Sequence, residues 1–144
     1  MREIKFRGKT FSGHWKYGEL VMSPTIDPAI YFEVDNGSDK QMDWVYVNPD
    51  TIGQFTGLRD VNGREIYEGD VLRLEDEEKA YGAVVWHPNG YFAIDHHFGK
   101  CDLLDYNYRP LGEMLCYRLH SGKLLRFVVL DNIHDYKKDD YGEV

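Results

Sequence analysis

The sequence predicts a mostly β chain that folds as a small, partly open β-barrel with N-terminal strands and one or two short helices. Three observations carry this expectation: period-two alternation at the start, a hairpin signal at Asp60 to Gly63, and a second at His87 to Gly90.

Arg2 to Arg7 alternates, with Ile4 and Phe6 on one face and Glu3, Lys5 and Arg7 on the other, as a half-buried strand does. After the turn at Ser12-Gly13, Trp15 to Met22 reads as a second strand, broken by Ser23-Pro24 through Pro28. Tyr31 to Val34 and Trp44 to Val47 are β-rich runs joined by the polar loop Asp35 to Asp39, a candidate hairpin.

In the stretch from Thr51 to Leu74, turn chemistry and strand pattern agree. Asp60-Val61-Asn62-Gly63 has Asp at the first turn position and Gly at the fourth, where a type I turn is followed by a left-handed residue. A tight hairpin between Gln54 to Arg59 and Arg64 to Tyr67 follows. Glu68-Gly69-Asp70 then re-aims the chain into the strand Val71 to Leu74. Ala83 to Trp86, the turn His87-Pro88-Asn89-Gly90 and Tyr91 to Asp95 repeat the logic. Two hairpins joined by a sharp Gly-Asp turn resemble the first half of an SH3-like barrel, an analogy that assigns no function.

Beyond Cys101 the pattern changes. Leu111, Met114, Leu115 and Leu119 recur at helical spacing behind Pro110, and Ser121-Gly122 is read as the helix stop. Arg126 to Leu130 is the last strand. No repeat or linker is visible, so the expectation is one domain over 1–135 and an acidic, flexible tail over 136–144.

The 144 residues suit a single core that needs no metal or crosslink, and aromatics are abundant, with eleven Tyr, seven Phe and three Trp. No apolar run approaches the roughly 18 residues of a membrane span, and Met1 leads into Arg2-Glu3-Ile4-Lys5 rather than a signal core, which predicts a cytoplasmic protein. Cys101 and Cys116 lack CxxC spacing and are expected to remain free thiols. The formal charge of −8 argues against a protein that grips nucleic acid with a large basic face. Positive residues gather at Arg2, Lys5, Arg7, Lys9 and Lys16, while Glu75 to Glu78 and Asp139-Asp140 are acidic; all three groups read first as solvated surface.

The string from Thr51 to Val71, TIGQFTGLRDVNGREIYEGDV, resembles the signature of the YopX family. Arg2 to Arg7 is similar to that family's opening and Val129 to Asp135 to its closing segment, although Asp131 stands where a Gly is expected and 99–125 carries no matching motif. Gln54, Thr56, Gly57, Asp60, Gly63, Ile66, Tyr67, Gly69 and Asp70 are the motif residues, and their part is structural. The resemblance implies a YopX-like, β-rich protein encoded by phages or prophages, working in a bacterial host cytoplasm, with no established catalytic activity.

Candidate chemistry is thin. Glu65, Glu68 and Asp70 form an acidic cluster of the kind that holds Mg²⁺ or Mn²⁺ for phosphodiester hydrolysis, but an Asp after Gly at a bend more often accepts backbone N–H groups. The spacing of His87, His96, His97, His120 and His134 matches no zinc set, and neighbours such as His96 and His97 on a strand would point to opposite faces. No GxSxG context, Walker loop or GxGxxG is present, so neither catalytic residues nor a cofactor are assigned. Among the aromatics, Trp15, Tyr67 and Trp86 are the candidates for a partner surface. The leading expectation is a non-catalytic interaction module that binds an unknown host or phage protein or self-associates. The alternatives are a metal-dependent phosphodiesterase using the acidic cluster and a nucleic-acid-binding accessory protein using the basic first strand with exposed aromatics.

Overall fold

A computed structural model describes residues 1–137; the tail reading falls largely on 138–144, outside the described residues. The chain divides into two compact units, Met1–Gly57 and the part from Leu58 onward. The class is mostly β, as expected, but the strands form two antiparallel sheets and no closed barrel. Among the described residues, no helix is long and apolar enough to cross a membrane.

The first unit contains β1 (Phe6–Lys9), β2 (Trp15–Val21), β3 (Ala29–Asp35), β4 (Lys40–Tyr46) and the start of β5 (Gly53–Arg59), side by side in the order β4-β3-β2-β1-β5. The expected hairpin of the third and fourth strands forms, with Tyr31 opposite Trp44 and Asp35 opposite Lys40. The first strand starts later than its alternation suggested. Ile4 precedes it and is 60% exposed, whereas Arg7, assigned to the solvent side, is 3% exposed. The fully buried residues of this unit include Ile30 and Val47.

Close packing in this sheet depends on Gly18. A Cβ built there would lie 2.0 Å from the Tyr31 carbonyl oxygen and 3.0 Å from its carbon, backbone atoms that cannot step aside as a flexible side chain can. Gly18→Ala is therefore expected to force β2 from β3 and lower stability by about 3 kcal/mol, the upper end of overpacking costs. Chemical denaturation checks this; an unchanged midpoint would contradict the geometry.

In the second unit β5 leads through the Asp60 turn into β6 (Glu65–Tyr67), and the chain continues as β7 (Asp70–Leu74), β8 (Ala80–His87), β9 (Tyr91–Asp95), α1 (Leu111–Leu115) and β10 (Phe127–Asn132). The last four strands form a sheet ordered β10-β7-β8-β9. Ile66, Leu72, Val84, Ile94, Leu125 and Phe127 make its core, with Leu111 of α1 packed among them. Both hairpin turns form as read: the Gly63 N–H donates to the Asp60 carbonyl at 3.0 Å, and the Gly90 N–H to the His87 carbonyl at 2.9 Å.

The helix begins directly after Pro110 as expected but stops at Leu115, so Leu119 is not on it. Arg118 instead bridges Leu124 across a turn in which Gly122 takes a φ of 85° and donates to the Leu119 carbonyl. Ser121-Gly122 thus reverses an extended chain rather than ending a helix.

Candidate interaction surface

Strand alternation and register together decide which side chains of the first unit share a face. Glu19 lies opposite Tyr31 and Val21 opposite Ala29, while Ala29 faces Tyr46, Tyr31 faces Trp44 and Glu33 faces Met42. Residues directly opposite one another project to the same side. Tyr17, Val21, Tyr31, Met42, Trp44 and Tyr46 therefore occupy one face, and Leu20, Ile30 and Val45 the other.

The second of these faces is the buried one, with Ile30 fully enclosed. The first is open along β4 and at Tyr17, although Ala29 and Arg7 on the same side are buried: Tyr17 is 45% exposed, Met42 58%, Trp44 46% and Tyr46 40%. Its rings are already arranged against one another. Tyr31 stacks on Trp44 with centroids 6.1 Å apart, and Trp44 meets Tyr46 edge-on at 4.9 Å. Rings held this way lose little rotamer freedom when a partner covers them, which suits them as anchors.

β4 is the outer strand of its sheet, and its edge is guarded. The Trp44 N–H donates to Asp43 Oδ1 at 2.8 Å, so that group is not offered to a second strand. Lys40 pairs with Glu33 at 2.8 Å, which raises the lysine pKa through that hydrogen bond and the glutamate charge. The accessible feature is the face rather than the edge.

Of the surface candidates read from the sequence, Trp86 is 49% exposed and meets Phe92 edge-on at 4.8 Å on the β8–β9 hairpin. Trp15 is half-buried, with the Arg7 guanidinium 4.9 Å and the Lys9 ammonium 5.9 Å from its ring. Tyr67 is 2% exposed and packs in the interior, which corrects its assignment to a partner surface. Tyr17, Met42, Trp44 and Tyr46 carry most of the open face, and the sequence reading did not single them out as its site; their alternation in two paired strands was the available signal.

Arg7 bears on the nucleic-acid alternative, because the basic first strand was to supply phosphate contacts. Burial beside the Trp15 ring removes Arg7 from such a role. Lys5 likewise lies 5.3 Å from the Phe55 ring centroid.

The motif residues sit where a framework needs them. Gly57, Gly63 and Gly69 have φ of 81°, 80° and 89°, the left-handed region that favours glycine. Ile66 is fully buried, while Gln54, opposite Phe6, and Thr56 are half-buried on β5. Asp60 is 8% exposed; its Oδ1 accepts the Asn62 and Arg64 N–H groups at 2.9 Å each, and its Oδ2 accepts the Val129 N–H at 3.0 Å. Asp70 is 1% exposed, and its Oδ2 accepts the Tyr67 N–H at 2.7 Å. Glu65 and Glu68 are half-buried. Among the described residues, no group of three or more His, Cys, Asp or Glu side chains is arranged to hold a metal ion.

The histidines differ from the strand reading. His96 and His97 follow β9 in a turn, with ring centroids 4.2 Å apart rather than on opposite faces. His87 is buried and stacks on Tyr91; its Nδ1 accepts the Asn89 N–H, and Nε2 lies 3.3 Å from the Leu103 carbonyl. Both cysteines are free.

Near this turn, Asp95 accepts the His97 N–H at 2.9 Å and the Gly99 N–H at 2.7 Å, and the Tyr108 hydroxyl donates to it at 3.3 Å. Burial, followed by the Asp95 charge, pushes the Tyr108 pKa up to about 12. An unfolded tyrosine loses its proton near the ordinary value of about 10. The stability from neutral Tyr108 is therefore present below about pH 10 and is expected to be lost as pH rises from there through the folded value. Denaturant midpoints at increasing alkaline pH check this, with Tyr108→Phe expected to show a shallower decline; identical declines would contradict it.

Fold and surface together define a mostly β protein with a turn-rich framework and one open aromatic sheet face. The family model described as YopX protein matches residues 5–113, and the chain belongs to the YopX family. The match covers the opening strand and the central signature and stops short of the closing segment. No curated relative matches the chain.

Proposed function

We propose that this YopX-family protein is a non-catalytic, β-rich interaction module of phage or prophage origin that docks a host or phage protein in the bacterial cytoplasm. The observation that carries the reading is the exposure of Trp44, Tyr46, Tyr17 and Met42 together on the open side of one sheet. Single exposed apolar residues are ordinary, whereas Met42, Trp44 and Tyr46 follow one another along one side of β4, and Trp, Tyr and Met are residue types enriched at protein interfaces. We read the second unit, with its short strands and sharp hairpins, as the SH3-like, partly open part of the module.

Self-association is the less favoured occupant, because pairing of two β4 edges would have to displace the Asp43 carboxylate from the Trp44 N–H. The phosphodiesterase reading loses its third ligand when Asp70 is turned inward to the Tyr67 backbone. Burial of Arg7 weakens the nucleic-acid reading in the same way.

The test is capture by the tagged protein from host-cell lysate, with and without nuclease, using Trp44→Ala and Trp86→Ala in parallel. A protein that survives nuclease, is lost with Trp44→Ala and is retained with Trp86→Ala is the expected result. Capture indifferent to Trp44, or recovery of nucleic acid alone, would overturn the reading.

A further inference from the structure

The second unit holds a cleft unrelated to the aromatic face. It has a volume of about 300 Å³ and lies between β8, β9, α1 and the segments flanking the helix. This is the lower end of the range for small-ligand pockets, roughly 300–1,000 Å³. Ile94, Met114 and Leu125 supply apolar surface. The aromatic walls are Tyr81, Tyr108 and Tyr117, together with the ring of His96, whose centroid is 6.3 Å from that of Tyr81 and 5.9 Å from that of Tyr108.

Four polar side chains lining this cleft have no hydrogen-bond partner among the described residues: the Tyr81 hydroxyl, the His96 ring, the Asn107 amide and the Arg109 guanidinium. Arg109 is exposed, no carboxylate among those residues pairs with it, and its guanidinium carbon is 4.6 Å from the Tyr117 ring centroid. That contact fixes the cation by stacking while leaving its five N–H donors uncommitted. Tyr81 is half-buried, and desolvation raises its pKa, so its hydroxyl keeps its proton and can donate. The set is donor-rich, carries one permanent positive charge and is bounded by rings.

We propose that this cleft binds a small planar aromatic anion of mononucleotide size, its ring against the tyrosine and histidine walls and its phosphate or carboxylate on Arg109. A planar ring meets the walls over the largest area, and a guanidinium recognises carboxylate or phosphate in a bidentate manner. The inference is independent of the protein-docking surface, which lies in the first unit, so either can fail alone.

The experiment is calorimetric or NMR titration of the full chain with adenosine monophosphate, N-acetyltryptophan, adenosine and inorganic phosphate, repeated on Arg109→Gln. Saturable binding of at least one aromatic anion is expected, at least tenfold tighter than adenosine or phosphate alone, and weakened at least tenfold by Arg109→Gln. Which of the two anions binds distinguishes a phosphate from a carboxylate head group. Because Arg109 is exposed, its variant should keep the wild-type circular dichroism and melting profile. Absence of binding by both anions, equal binding of adenosine, or indifference to Arg109→Gln would overturn the proposal.

Discussion

Asp60→Ala is expected to lower stability by about 3 kcal/mol or more, and with it the melting temperature by roughly 10 °C. Three backbone N–H groups lose their acceptor at once, and the residue is nearly buried, so water cannot readily replace it. Two of those donors belong to the hairpin turn and the third to Val129 of β10, which ties a local loop to a strand 69 residues away. Asp60→Asn retains one acceptor oxygen and should lose about half as much. Hydrogen exchange separates this account from general weakening: the Val129 amide should lose protection preferentially in Asp60→Ala. Uniform loss of protection, or an unchanged midpoint, would contradict it.

Trp44→Ala is expected to weaken partner binding by about thirtyfold or more, the scale of a central aromatic hot spot of about 2 kcal/mol. Trp44 contacts two other rings, stacked on Tyr31 and edge-on to Tyr46, so truncating it removes its own contact area and loosens both neighbours. Its exposure predicts little change in folding stability. Titration of the purified partner onto wild type and variant, with melting curves of both, checks the separation. A large loss of stability with no specific loss of affinity would place Trp44 among packing residues.

The parts legible in the sequence are those governed by local chemistry. Asp60 to Gly63 and His87 to Gly90 announce their turns because the required backbone angles select particular residues within four positions. The same reading recovered the bond from the Gly63 N–H to the Asp60 carbonyl but not the acceptance of the Val129 N–H, since nothing local names a partner so distant. Alternation identified Lys5 and Arg7 as sharing a face; register puts Arg7 opposite Tyr17, whose ring is exposed, yet Arg7 itself is buried against the Trp15 ring, a local cover that alternation does not reveal. Leu119 follows helical spacing after Leu115, yet the positive φ of Gly122 belongs to a turn between extended segments. Periodicity alone does not separate these outcomes in a short stretch.

The candidate surface was less legible for a related reason. Both faces of the β2 to β4 region carry large apolar side chains: Phe32 and Val45 on one, Tyr31 and Trp44 on the other. Register and burial decide which set meets solvent. Tyr67 looked no more buried in sequence than Trp86, but it ends a strand whose neighbour Ile66 lies in the core, and it is enclosed with it. The unit boundary at Gly57 falls within β5, so no composition shift or linker marks it.

The most direct test of the docking claim is hydroxyl-radical footprinting of the protein alone and in its purified complex from nuclease-treated lysate. Strong protection of Trp44, Tyr46 and Met42 on complex formation, with Trp86 oxidised equally in both states, is the result this account predicts. Unchanged oxidation of Trp44 and Met42, with protection elsewhere, would contradict it.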